Sequence, residues 1–161
     1  MVIIRPSEEE FHALYQTHGR KVKRAIEGMV GSEAVAQELT HEAFIKAWTQ
    51  LPYFMRKSQL STWLYQIAMN CARDYLRSHR RAPAVEEEYV EGLSPERRAV
   101  REGLLETEPD EREILVLHYY EGQKVEEIAG ILSVPSGTVK SRLFDARKSL
   151  REKLLRKGFD V

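Results

Sequence analysis

Apolar residues recur every three to four positions along most of the chain, in runs separated by serine, proline and glycine. That period is the signature of amphipathic helices. The run around which the rest is organised is Lys124 to Leu155. Its first part predicts a short helix from about Lys124 to Leu132, with Val125, Ile128, Ala129 and Leu132 at i, i+3, i+4 and i+7. Ser133-Val134-Pro135 breaks it, because Pro135 lacks an N–H and holds Val134 in extended geometry. Ser136 is placed to cap a second, longer helix. Val139, Leu143, Ala146, Leu150 and Leu154 make its apolar face; Thr138, Lys140, Ser141, Arg142 and Lys148 lie mostly away from it.

The upstream runs are read the same way. Ser7 and Glu10 have capping-box spacing and start a helix with Phe11, Leu14, Tyr15, Val22, Ala25, Ile26 and Met29 on one side. Gly28 and Gly31 are expected to end it near Val30. Ser32 is placed to cap a second helix through about Gln50. Its apolar set is Ala36, Leu39, Ala43, Phe44, Ala47, Trp48 and Leu51; Gln37, Glu38, His41, Glu42 and Lys46 lie opposite. Residues 52–59 read as a loop. A third long helix starts at Leu60 or Ser61, has Trp63, Leu64, Ile67, Ala68, Cys71 and Leu76 as core residues, and ends in Arg73, Arg77, Arg80 and Arg81. Basic residues there also suit the helix dipole. Residues 81–94 carry a proline, a glycine, four glutamates and little periodicity, the character of a linker. Ser94-Pro95 starts a helix to about Glu106. Pro109 starts another, bearing Ile114, Leu115, Leu117, Tyr119 and Tyr120 and ended by Glu121-Gly122.

The 161 residues suffice for one domain or two small ones, and strand signals are few. The expected fold is all-α: a helical domain over 1–81, a flexible acidic linker over 82–94, and a second helical domain over 95–161. Hydrophobic content of 42% with 31% charged residues indicates a globular chain.

A formal net charge of zero argues against a nucleic-acid binder until the distribution is considered. Glu102 to Glu127 holds nine acidic residues and two basic; Thr138 to Lys157 holds eight basic and two acidic. Local patches, not averages, govern binding. A short helix, a tight turn and a longer helix opening on small polar and basic residues form a helix-turn-helix pattern. Such a helix leads into the major groove with its N-terminus, where free N–H groups suit phosphate and short side chains reach base edges. The alternative is a helical hairpin with a solvated basic face.

Other chemistry is restricted. A single cysteine, Cys71, excludes an intramolecular disulfide framework and a multi-cysteine zinc site, and its apolar neighbours place it in packing. His12, His18, His41, His79 and His118 are scattered, and no carboxylate or Cys/His constellation has metal or acid–base spacing. No cofactor, metal or catalytic residue is expected. The start, MVIIRPSEEE, has no secretory hydrophobic region, and no run reaches the length of a membrane span, so a cytoplasmic protein without membrane insertion is expected.

Several patches, in order, resemble the extracytoplasmic-function sigma factors of bacterial RNA polymerase, the compact sigma-70 group with only regions 2 and 4. Phe11-His-Ala-Leu-Tyr15 is similar to the opening of region 2. Glu38-Leu-Thr-His-Glu-Ala-Phe44 with Ala47-Trp48, and Thr62-Trp-Leu-Tyr-Gln-Ile-Ala68 followed by Asn70, resemble its later segments. Pro109, Arg112-Glu113, Glu126-Glu-Ile-Ala129 and Gly137-Thr-Val-Lys-Ser-Arg142 resemble region 4. The likeness covers nearly everything from Phe11 to Leu155 except the linker.

The resemblance implies a protein that is not an enzyme but lends promoter recognition and strand opening to core RNA polymerase. It implies that Gln37, Glu38, His41 and Glu42 face the clamp helices of the polymerase's largest subunit, with His41 where the family usually has glutamine. The loop from Tyr53 and the start of the third helix would take the −10 element as single strand. Arg56, Lys57, Ser58, Asn70, Arg73, Arg77 and Arg80 are the residues implied. For Asn70 a satisfied buried amide is the alternative; Tyr65 and Trp63 invite stacking, with Trp63 favoured as packing. Ser136, Thr138, Lys140, Ser141, Arg142, Phe144 and Lys148 would face the duplex −35 element. Two departures stand out. Met55-Arg56-Lys57-Ser58 replaces a common acidic pair. Asp145 replaces a common basic residue, and it either accepts from a base amine or orients Arg142 or Lys148. The acidic helix from Asp110 to Glu121 would face the polymerase. Implied partners are core RNA polymerase, promoter DNA and an anti-sigma factor. The rival readings are a promoter-binding regulator that ignores polymerase and an enzyme acting on nucleic acid.

Overall fold

A computed structural model describes residues 7–54, 58–79 and 86–160. Arg56, Lys57 and Arg80, implied for −10 DNA, lie outside the described residues, as do residues 82–85 of the expected linker. Every described element is helical: α1 (Glu8–Val30), α2 (Glu33–Gln50), a 3-10 turn (Leu51–Tyr53), α3 (Leu60–Ser78), α4 (Glu87–Val90), α5 (Pro95–Glu106), α6 (Pro109–Leu115) running into a π turn (Val116–Tyr120), α7 (Val125–Leu132) and α8 (Ser136–Arg156).

Helices α1 to α3 form the first unit. The Ser7 hydroxyl accepts from the Glu10 N–H at 3.2 Å and the Glu10 carboxylate accepts from the Ser7 N–H at 2.9 Å, the reciprocal cap the spacing predicts. Gly31, at φ 72, ends α1 in the left-handed conformation open to glycine. Gly28 plays no part in ending it, contrary to expectation. It sits inside the helix, and a Cβ there would meet Val116 Cγ2 at 2.8 Å, so it is small because another helix crosses over it. Ser32 caps α2 as expected, accepting from the Val35 N–H. Val22, Ile26, Met29, Ala36, Ala43, Phe44, Leu64 and Ala68 pack where the three helices meet.

The described part of the expected linker is ordered against its neighbours. Tyr89 and Val90 of α4 are buried, Arg98 donates to both Glu87 oxygens at 2.9 and 3.0 Å, and Arg101 donates to the Tyr89 carbonyl. Two adjacent apolar residues have no period to read, so the sequence carries no sign of this anchor.

Helices α5 to α8 form the second unit. Ser94 caps α5 through the Arg97 N–H, and the helix spans the expected Pro95–Glu106. The π turn ends with the Glu121 N–H bonded to the Val116 carbonyl at 3.2 Å, five residues back. The wider turn shifts the helical register of its side chains: Leu117 stays buried, while Tyr119 stands 55% exposed. Lys124 precedes α7, its N–H held by the Glu127 carboxylate at 3.0 Å. The turn between α7 and α8 passes through Ser133 at φ 55. Ser136 does not cap α8. It is the first helical residue, and the Pro135 carbonyl accepts the Thr138 and Val139 N–H groups. Proline's fixed φ supplies the extended residue a cap position requires.

The two units share one continuous core running from Leu14 to Ala146. Arg112 ties them together. Its guanidinium is buried and donates to the carbonyls of Leu104, Leu105 and Thr107 at the end of α5 and of Met29 in α1. Burial lowers its pKa to about 10, so it stays charged at neutral pH.

Candidate nucleic-acid interface

Helix α8 divides cleanly by face. Val139, Leu143 and Ala146 are buried. Lys140, Ser141, Arg142, Phe144 and Lys148 are exposed, and Ser136 and Thr138 are half-buried at the helix start. The helix therefore presents one stripe of cations and hydroxyls, with Phe144 68% exposed among them. A phenyl ring left in water beside cations is suited to contact with a thymine methyl. Asp145 is exposed in the same stripe, without an ion pair among the described residues.

Helix α2 divides the same way. Gln37, Glu38, His41 and Glu42 are all exposed on the face opposite Ala36, Ala43 and Ala47. Glu42 is held 2.8 Å from Lys46. The face continues into Ile45, 66% exposed, and Trp48, expected in the core but half-exposed with its ring edge on Phe11. The helical period from Glu38 and His41 to Ile45 is present in the sequence and points to this residue.

Along α3 the implied residues separate. Asn70 is exposed, which rules out a satisfied buried amide. Arg77 is exposed, 3.5 Å from Asp74, and Ser58 is half-buried. Trp63 packs against Phe54 with ring centroids 5.0 Å apart, the packing role favoured for it. Tyr53 is the large aromatic left open beside them, 76% exposed. Tyr65 is buried and gives its hydroxyl proton to the Glu121 carboxylate at 2.8 Å, so it is closed to stacking here. Burial and that carboxylate together raise the phenol's pKa. Cys71 is buried as expected, and burial pushes its thiol up.

The acidic helix expected to face outward turns two of its carboxylates onto the first unit. Glu121 accepts from Arg24 at 3.0 Å as well as from Tyr65, and its side chain has no exposure. Glu113 lies 3.2 Å from Arg73 with 4% exposure, and burial raises its pKa to about 7 against the opposing pull of Arg73. Gln66 donates to the Gly130 carbonyl at 2.8 Å. One residue implied for DNA, Arg73, is thereby partly covered by the other unit, its side chain 33% exposed. The pairings of Arg24, Glu113 and Glu121 leave no sign in the sequence, because their partners stand far away along the chain.

Residues 14–82 match sigma-70 region 2, and residues 97–150 match sigma-70 region 4. The chain is 33% identical to the RNA polymerase sigma-H factor of Pseudomonas aeruginosa, over 93% of this chain and 89% of that one. It is 33% identical to the ECF RNA polymerase sigma-E factor of Escherichia coli K12, over 91% and 87%. It is 35% identical to a probable RNA polymerase sigma factor, RfaY, of Xanthomonas campestris, where it spans 80% of its own length and 36% of the relative's. Two solved structures share its fold. The sigma factor RpoE of Bartonella quintana, in complex with the anti-sigma factor NepR, superposes with a TM-score of 0.77 at 22% identity, over 91% and 97%. CnrH, in complex with the cytosolic domain of CnrY, gives 0.74 at 24%, over 94% and 90%. The chain belongs to the sigma-70 family, in its extracytoplasmic-function group. It is a sigma factor, which directs transcription initiation through core polymerase and promoter and is not itself an enzyme.

Proposed function

We propose that each unit has one DNA task and that the first also docks the polymerase. Gln37, Glu38, His41 and Glu42, with Ile45 at the end of the face, meet a basic helix of core RNA polymerase through charge pairing around an apolar contact. Asn70 reads a flipped −10 base by its paired donor and acceptor, and Arg77 holds phosphate beside it. Ser58 and the two basic positions before it, Arg56 and Lys57, serve the same strand, with Arg73 and Arg80. On α8, Ser136, Thr138 and Lys148 position the duplex, while Lys140, Ser141, Arg142 and Phe144 face −35 base edges.

The observation that carries this reading is the split of α8 into a buried apolar face and an exposed face of cations, hydroxyls and one phenyl ring. A promoter-binding regulator would need that face but not the exposed acidic face of α2. The partners are core polymerase, promoter DNA and an anti-sigma factor. The complexes of RpoE with NepR and CnrH with CnrY, built on the same fold, support the last of these. No described helix is long and apolar enough to cross a membrane.

The test is capture of core polymerase by the tagged full chain. Glu38→Lys with Glu42→Lys is expected to cut binding at least tenfold while leaving duplex −35 binding intact. Equal loss of both, or of neither, contradicts the assignment.

A further inference from the structure

We infer that the groove between α1 and α2 is a binding site for a free nucleoside diphosphate or triphosphate, with the base on Tyr15 and the phosphates at Arg20 and Lys23. Only α1 and α2 line it, and the stripes of α3 and α8 proposed for DNA lie elsewhere. Its volume is about 630 Å³. Small-molecule sites fall in the range of roughly 300–1,000 Å³.

The first observation is a glycine. Gly19 lies inside α1, where glycine is a poorer helix former than alanine. Gly31 answers to its φ and Gly28 to the helix that crosses over it, but Gly19 has neither reason. The nearest atoms to a Cβ there would be those of the Tyr15 ring, at an ordinary 3.8 Å. No neighbouring element demands the missing side chain. The bare backbone is the floor of the groove and lets a ligand approach the helix closely.

The second observation is the order of groups along the groove. The tight turn at Gly31-Ser32 makes α1 and α2 antiparallel, so Tyr15 meets Phe44 at one end and Lys23 meets Glu33, at 3.0 Å, at the other. Tyr15 and Lys23 are separated by about 12 Å of helix rise, a span that a nucleotide covers from base to outer phosphate. Tyr15 is held edge-on against Phe44, with ring centroids 4.8 Å apart, and is still 42% exposed. A fixed ring with open surface is a platform on which a base can stack. Arg20, beside the glycine, is exposed and without an ion pair among the described residues. Arg20, Lys23, the Gln37 amide and the His41 ring are donors of the kinds that take phosphate oxygens. No carboxylate lines the groove among the described residues; Glu27 and Glu33 hold Lys23 from outside it.

Gln37 and His41 also belong to the face proposed for the polymerase, so a bound nucleotide and docked polymerase would exclude each other. That consequence rests on the α2 reading; the site itself does not.

The experiment is isothermal titration calorimetry of the full-length chain with ADP at low ionic strength, without added metal. Saturable binding at one site is expected, with Kd below about 1 mM. Arg20→Ala should weaken it about tenfold. Glu33→Gln releases Lys23 and removes a carboxylate from beside the phosphates, and should tighten binding about threefold. Gly19→Leu fills the groove from its floor and should abolish binding, while the better helix former leaves thermal unfolding unchanged or raised. Adenosine and pyrophosphate, each engaging one end of the groove, should both bind at least about tenfold more weakly than ADP. The inference is overturned if ADP gives no saturable heat, or if Arg20→Ala or a folded Gly19→Leu chain binds as wild type does. Pyrophosphate binding as tightly as ADP also overturns it, since Tyr15 then has no part. Failure of the α2 reading shows separately, in capture of core polymerase without nucleotide.

Discussion

Arg73 and Glu113 face each other at 3.2 Å across the boundary between the two units, yet neither is fully satisfied: Arg73 Nε and Glu113 Oε1 are buried without a well-aligned hydrogen bond. Attraction without good alignment does not offset desolvation, so the carboxyl titrates near 7, well above the usual 4.5. Arg73 and Arg142 pull it down and Asp110 pushes it up, but burial is the largest cause. The native chain therefore holds this proton more tightly than the unfolded chain. The stabilisation is complete below about pH 4.5 and is lost as pH rises through about 7, amounting to on the order of 3 kcal/mol. Thermal unfolding of wild type across this window should show that decline, and Glu113→Gln should flatten it. A Glu113→Gln chain whose decline matches wild type contradicts the account.

Arg112 makes a different demand. Four carbonyls depend on one guanidinium. Arg112→Met leaves them buried and unpaired, and the expected loss is about 3–5 kcal/mol. Arg112→Lys should recover little, since a point charge cannot replace a planar fork. Chemical denaturation monitored by circular dichroism checks both.

These two positions show what the sequence could disclose. Local signals were legible. Ser7 with Glu10, Ser32 and Ser94 mark the helix starts where the structure has them, and Gly31 marks an end. The site faces of α2 and α8 follow from helical period alone. Asn70 was legible too, since it lies across the helix from Leu64, Ala68 and Cys71, although its apolar neighbours in sequence suggested burial. What period does not carry is contact between distant segments. Gly28 and Gly31 look alike in sequence, and only the backbone shows that one turns the chain while the other admits Val116 and Tyr120. The π turn that exposes Tyr119 and the carboxylates that meet Tyr65 and Arg73 are likewise products of packing.

The two glycines give a paired prediction. Gly31→Ala meets a left-handed φ of 72 and a Leu105 methyl 2.5 Å from the new Cβ, and Gly28→Ala meets Val116 at 2.8 Å. Each should cost about 1–3 kcal/mol. For a chain of this size that is a fall of roughly 2–4 °C in Tm per kcal/mol, read by calorimetry.

On α8, substitutions should separate position from sequence reading. Lys148→Ala should weaken −35 duplex binding about equally for all sequences and lower the salt slope by about 0.9. Arg142→Ala should cost about 1–3 kcal/mol on the preferred sequence and relax selection at one base pair. Titrations against the selected element and a scrambled duplex at several salt concentrations distinguish the two.

The most direct test of the account is binding of the full chain to core RNA polymerase, with transcription then read from a pool of randomised promoters. Tight binding to core, with transcripts arising from two short elements at fixed spacing, is the expected result. Binding to DNA without binding to core would contradict it, and with it every role given to α2 and α3.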